Sequence, residues 1–354
     1  MKPRRFPSLL LLPTLLGLAA PAWAAGTPDC GPSAPGQTVL AVFNPLAGAY
    51  CVSSFGSSDA YFAAGANGNA PYPTVYNPAA DLFSGDDAVN LRFSIGGAQQ
   101  GGSGWLTPWL DAGTLAPGGY ATNSFWSVVS PIHYTSNGVT SSATSTIALS
   151  LATGTVRVTI ATSIAASGHV TQIYTIQNNT TASLDGLTFA DYYNFHPNGS
   201  EPAATQLGTT RFNTDRIVTT GDASASSFIS NGSMRLVDAV TGQTLTPTAH
   251  DVGCADPLLL AFECTGTTAT LVNVETGALN NADGPLGPGD YAGALAYSIG
   301  TLAAGQTTRI GLVKEVDVPP VSDVPELPQA WQMLAGLAGL LVLGIGRLAR
   351  TARQ

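Results

Sequence analysis

Charged side chains are scarce in this 354-residue chain: Asp, Glu, Lys and Arg make up 10% of it, against about 25% in ordinary soluble domains. Basic residues are the scarcer sign, 13 against 22 acidic ones, for a net charge of −9. A chain of that sign carries no basic footprint for nucleic acid. With almost no Lys or Glu it also lacks the composition of long helical and coiled-coil proteins. No body segment carries a helical stripe over 12 or more residues, and no repeat of fixed period points to a solenoid or propeller. Compact catalytic motifs are missing as well: there is no G-x-S-x-G elbow, no HExxH helix and no P-loop. The four histidines, His133, His169, His196 and His250, stand far apart in the sequence. What the chain does have is 44% hydrophobic residues, 40 Gly and 24 Pro. That is too apolar for a disordered chain, and the turn formers suit many short strands.

The body reads as strands. Thr146–Leu151 and Thr155–Thr162 alternate polar and apolar residues with a period of two, the pattern of a half-buried antiparallel strand. His169–Gln177, Gly186–Phe195, Ala269–Glu275, Asp290–Ile299 and Thr307–Val316 continue it, with Asn178–Thr181 as a turn. The expected fold is all-β, an antiparallel β-sandwich over residues 25–317, in which the Gly-rich stretch 25–120 is irregular. Val318 to Asp323 then form a Pro-rich, extended spacer.

Both ends carry addresses. Lys2, Arg4 and Arg5 precede the apolar stretch Leu9–Ala20 and the small-residue pattern Ala22-Trp23-Ala24, which together predict a signal peptide over 1–24 cut by signal peptidase. At the other end, Val324-Pro325-Glu326-Leu327-Pro328 precedes an uncharged run, Ala330–Gly346, followed by Arg347, Arg350 and Arg353. As a helix that run is about 25 Å long, at the short end of a bilayer span. The arginines beyond it place the tail in the cytoplasm and the body outside.

This three-part end, residues 324–354, resembles the PEP-CTERM sorting signal of Gram-negative bacteria. Val324, Pro325 and Glu326 match the family's Val-Pro-Glu-Pro core, while Leu327 takes the fourth position and Pro328 follows one step late. The resemblance implies an exosortase-type sorting protease as a partner, a transient inner-membrane anchor through the C-terminal transmembrane helix, and a mature protein at the cell surface or in the extracellular matrix. It is an address and not an activity.

Without its two ends the body, residues 25–324, keeps 7 basic and 21 acidic residues, a net of −14. Such a surface repels nucleic acid, anionic lipid and acidic polysaccharide. Cys30, Cys51, Cys254 and Cys264 are an even, sparse set in an exported chain, so disulfides are expected. Pairing Cys30 with Cys51 and Cys254 with Cys264 closes the shortest loops. Zinc is disfavoured because no C-x2-C spacing or paired histidine accompanies them.

Three clusters remain as binding candidates. In the run Asp191–His196, strand alternation puts Tyr192, Asn194 and His196 on one face, where they could grip a sugar by stacking and hydrogen bonding. Asp81, Asp86, Asp87 and Asn90 are oxygen donors of the kind Ca2+ takes, yet they lack the D-x-D-x-D-G spacing, and a solvated acidic loop is the favoured reading. Trp105, Trp109 and Trp126 could form an aromatic platform, although tryptophans more often fill a core. No metal and no cofactor is expected. An enzyme acting on polysaccharide needs two carboxylates about 5–9.5 Å apart, and Glu201, Glu263, Glu275 and Glu315 offer no pair that the sequence singles out. The reading is therefore an exported, non-catalytic structural or adhesive protein linked to exopolysaccharide or biofilm. A carbohydrate-binding protein, or an extracellular polysaccharide-acting enzyme, is the alternative.

Overall fold

The computed structural model describes residues 39–44, 48–56, 59–63, 83–99, 104–106, 126–136, 141–164, 170–197, 209–220, 231–254, 269–287, 289 and 291–317. The segments expected to be the leader, the spacer and the sorting signal with its arginines lie outside these residues, as do Cys30, Cys264 and Trp109. Among the described residues no helix is long and apolar enough to cross a membrane.

In chain order the strands are β1 (Val39–Asn44), β2 (Gly48–Ser53), β3 (Asp59–Ala63), β4 (Phe83–Ile95), β5 (Ala98–Gln99) and β6 (Gly104–Trp105). They continue with β7 (Trp126–Ser136), β8 (Ser141–Leu151), β9 (Gly154–Ile164), β10 (Val170–Thr180) and β11 (Leu184–Pro197). Next come β12 (Thr209–Asn213), β13 (Arg216–Thr220), β14 (Asn231–Val237) and β15 (Ala249–Cys254). One helix, α1 (Thr270–Thr276), precedes β16 (Tyr291–Leu302) and β17 (Thr307–Asp317).

All pairings between these strands are antiparallel, and they build two sheets. The first runs β1-β2-β3-β4-β11-β16-β15, with β5 and β6 also on β4; the second runs β12-β13-β14-β17-β10-β9-β8-β7. The core lies between them. From the first sheet it takes Val89, Leu91 and Phe93 of β4 with Leu187, Phe189 and Tyr193 of β11; from the second, Val158 and Ile160 of β9, Ile176 of β10 and Ile310 and Leu312 of β17. The alternation seen in the sequence is the cause: every second residue of β10, from Val170 to Thr180, is buried. Gly293 of β16 faces Ile217 of β13 so closely that a Cβ would sit 2.4 Å from its Cγ2. A glycine there lets the two sheets meet.

The β-sandwich class agrees with the expectation, while particular segments differ. Ala269–Glu275 is not a strand: residues 270–276 form α1, closed by Gly277 in the left-handed conformation (φ 69°) with its N–H donating to the carbonyls of Asn273 and Val274. Seven residues with apolar side chains at 271, 272 and 274 fit either period, and the helix wins because Leu271 and Val274 then share one buried face. The stretch 25–120, expected to be irregular, contributes β1 to β6, among them the 13-residue β4 at the centre of the first sheet. Its Gly and Asp residues obscured the alternation. The expected turn at Asn178–Thr181 starts later, since β10 runs through Thr180. There the buried Asn178 donates to the carbonyls of Ala182 (2.8 Å) and Leu302 (2.9 Å) and accepts from the Thr180 hydroxyl (2.8 Å), closing the β10–β11 corner.

Candidate functional site

The outer face of the first sheet carries the candidate site. β11 contains a bulge, with register shifts between Leu184 and Thr188 and Gly186 at φ 61°. The extra residue keeps both Leu184 and Leu187 in the core and sets the phase of everything after it. From there Asp191 and Tyr193 take the inner face, with Ala190 and Tyr192 on the outer one. On β4 the same alternation sends Val89 and Leu91 inward and leaves Asn90 and Arg92 outside.

A row of small residues then crosses four strands: Asn90 is opposite Ala190, Ala190 opposite Ala296, and Ala296 opposite Ala249. Alanines make this face shallow enough for α1 to lie on it, with Leu271 and Val274 packed against Ala88, Tyr192, Ala292 and Ala294. Asp251, fully buried, pins the helix by accepting from the Asn273 carboxamide at 2.7 Å. Burial pushes its carboxyl above the ordinary range, and hydrogen bonds from Asn273, Thr270 and the Val252 backbone pull the other way.

Between the end of α1 and the alanine row is a cavity of about 90 Å³, lined by Asn90, Arg92, Thr188, Thr248, Val274 and Gly277 among others. Arg92 is fixed at its mouth: Nη1 donates to the Glu275 carbonyl at 2.9 Å. The missing side chain of Gly277 makes this possible, since a Cβ would lie 2.3 Å from Nη1. Burial draws the Arg92 pKa down and Glu275 counters it, but a guanidinium stays charged throughout. Asn90 differs from its neighbours. It is 0% exposed, and neither its Nδ2 nor its Oδ1 has a hydrogen-bond partner. Leaving such a group unsatisfied costs about 1–3 kcal/mol. The lining holds no carboxylate, imidazole, thiol or amine side chain. What the cavity offers is hydrogen bonding above an apolar floor.

The residues singled out from sequence fall as follows. Tyr192 and Asn194 share this outer face and are 3% exposed each; Tyr192 lies under α1, and Asn194 Oδ1 has no hydrogen-bond partner. His196 is in β11 opposite Ser84, its side chain outside the described residues. Asp86 and Asp87 lie within β4 and not in a loop, again with side chains outside the described set, and Asp81 is outside altogether. Among the described residues no group of three or more His, Cys, Asp or Glu could hold a metal ion. Trp126 is in the core at 4% exposure, and Trp105 pairs through its backbone with Asn90. Cys254 is disulfide-bonded, while the side chains of Cys30, Cys51 and Cys264 are outside the described residues. His250 clamps an edge: it stacks on Phe212 with centroids 3.6 Å apart, and Nε2 lies 2.7 Å from Asp283 Oδ1. Glu315 belongs to an ion-pair cluster with Arg235 and Arg216 on the second sheet.

Sequence reasoning missed Arg92 and grouped Asn90 with Asp81, Asp86 and Asp87 in a solvated acidic loop, with Ca2+ ligation as the lesser reading. The signal was the alternation in Asn90-Leu91-Arg92-Phe93, hidden by the acidic residues before it.

No family model and no curated protein matches the chain. Among solved structures, a polysaccharide lyase is 11% identical with a TM-score of 0.36, covering 80% of this chain and 33% of its own length. A GalM/aldose epimerase homologue from C. elegans is 8% identical with a TM-score of 0.38, covering 79% of this chain and 98% of its own. Likeness of this order assigns neither ligand nor reaction.

Proposed function

We propose that the protein is exported, released from the membrane by an exosortase-type protease acting near Pro325-Glu326, and placed at the cell surface or in the extracellular matrix. There it serves a structural or adhesive role, holding exopolysaccharide without turning it over. The order of leader, body, Pro-Glu motif, apolar run and arginines supports the route. Mass spectrometry of the mature C-terminus tests it, with an end near Glu326 expected. An intact Arg350–Gln354 end on extracellular material would overturn this part.

The second reading, a carbohydrate-binding protein, is favoured by one observation: the unsatisfied Asn90 carboxamide beside the Arg92 guanidinium and the Thr188 hydroxyl. Ring hydroxyls or an acetamido group are neutral and supply the donors and acceptors that Asn90 lacks, which suits a body of net charge −14. The test is co-sedimentation of the purified protein with the producer's polysaccharide, with reducing ends followed in parallel. Retention without new reducing ends is expected. New ends that vanish when one Asp or Glu is neutralised would establish an enzyme instead.

A further inference from the structure

The interior between the sheets holds a second polar cluster that the outer face does not use. Lys314 of β17, Gln172 of β10 and Asp191 of β11 are each 0% exposed. On the second sheet, Val170 is opposite Lys314 and Gln172 opposite Leu312, so Gln172 and Lys314 are diagonal neighbours on one face. Lys314 Nζ donates to Gln172 Oε1 at 2.9 Å and sits 5.3 Å from the centre of the Tyr193 ring. The Tyr174 hydroxyl lies 3.5 Å from the same Oε1. The departing side of the carboxamide is held too, with Nε2 donating to the Gly56 carbonyl and to Thr162 Oγ1.

Asp191 faces this group from the first sheet. Phe189, Asp191 and Tyr193 follow one another along the inner face of β11; the Phe189 ring meets Tyr174 edge-on at 5.1 Å and the Tyr193 ring meets Lys314. Asp191 is between them, close enough for its charge to act on the Tyr174 hydroxyl, which itself lies 3.5 Å from Gln172 Oε1. Neither of its carboxyl oxygens has a hydrogen-bond partner.

We propose that Lys314 and Gln172 form an intramolecular isopeptide bond in the folded protein, with Asp191 carrying the protons. The Lys314 amine attacks Cδ of Gln172; the Nζ–Cδ bond forms and the Cδ–Nε2 bond breaks. Protonated Asp191 gives its proton to Oε1 as the tetrahedral intermediate forms and takes it back as the carbonyl re-forms, while the proton shed by Nζ passes to Nε2, which leaves as ammonia. No electrons are exchanged and no co-reactant is consumed. Rotation in the lysine side chain brings Nζ from its place beside Oε1 to the face of Cδ. Burial holds the Lys314 pKa well below and that of Asp191 well above their ordinary values, which favours the uncharged form of each and is the direction this chemistry needs. The bond ties β17, the last of the described strands, to β10 in the middle of the second sheet.

Peptide mass spectrometry on the denatured, trypsin-digested full-length protein decides the matter. The expected product is a branched species joining residues 158–211 to the peptide that starts at Ile310, uncut after Lys314 and lighter than the sum by one ammonia, with fragmentation placing the branch on Gln172. Asp191→Asn protein, checked for native unfolding cooperativity, is expected to show the two peptides separately. Lys314 cleaved by trypsin in the wild-type protein overturns the proposal. A branch lighter by one water and located on Asp191 also overturns it, since the acyl group would then be the carboxyl and not the carboxamide.

Discussion

The two faces of the first sheet use the same strands for opposite purposes. On β4 and β11, residues one apart go to different worlds: Leu91, Phe189, Asp191 and Tyr193 into the sandwich, Asn90, Arg92, Thr188 and Ala190 onto the face that α1 partly roofs. Inside, the polar groups are buried among aromatic rings, so each interaction is strong and water cannot relax it. Outside, the polar groups surround a cavity, and the least satisfied of them, Asn90, lines it. Two clusters of buried polar atoms therefore call for different explanations. A closed interior favours chemistry among the protein's own groups, and a lined cavity favours a ligand.

The largest expected effect tests the inner face. Phe189→Ala removes a ring with 0% exposure that meets Tyr174 edge-on, and a loss of about 3–5 kcal/mol in urea unfolding is expected. A loss below about 1 kcal/mol would mean the sheets are not packed as described. Gly277→Ala tests the outer face. A residue with a Cβ in the left-handed conformation costs about 1–2 kcal/mol, and the new Cβ also collides with the Arg92 guanidinium. Stability should fall by about that amount and polysaccharide retention should fall with it. Retention at the wild-type level would remove Arg92 from the binding site.

How much of this was legible in the sequence follows from which physical signal each segment carried. β9 alternates Thr and Arg with Val and Ile over Thr155–Ile160, and a period of two that clean survives any context. β4 carries Gly85, Asp86 and Asp87 in its first half, residues that ordinarily mark loops. It is a strand because β3 and β11 pair with it on either side, information that is tertiary. The division of Asp191–His196 into two faces could be read by counting. That Tyr192 would be roofed could not, because the roof is α1, nearly eighty residues later and itself too short to announce a period. The interior cluster was invisible for a related reason: Lys314 is 142 residues from Gln172 in the chain, and only the pairing of β10 with β17 brings them together.

A subtler effect concerns pH. Because burial raises the Asp191 pKa well above 3.8, the native state keeps a proton that the unfolded chain has already released. Across that interval the native state binds more protons, so stability falls as pH rises. The contribution is complete below about pH 3.8 and is lost as pH climbs through the native value. Asp191→Asn takes the group out of the titration, and the fall in unfolding free energy between acid and neutral pH should flatten. An unchanged slope in the variant would show that Asp191 is ionised in the native state, contrary to the interior described above.

The smallest expected effect separates the two faces most sharply. Asn90→Leu keeps the approximate size of the side chain and removes two polar atoms that have no partner in the free protein. If Asn90 served the fold, removing it would destabilise, as loss of a buried hydrogen bond does. If it is kept for a ligand, the free protein loses an unsatisfied group and gains about 1 kcal/mol or less of stability, since part of the relief is offset by imperfect packing of the branched leucine. Retention on polysaccharide should drop at the same time. Stability and binding moving in opposite directions is the signature of a residue held for function. It also guards against a trivial result, because a protein that unfolds more reluctantly cannot have lost binding through misfolding. Asn90→Leu protein that is less stable and still binds would assign the carboxamide to the fold and leave the cavity without a ligand.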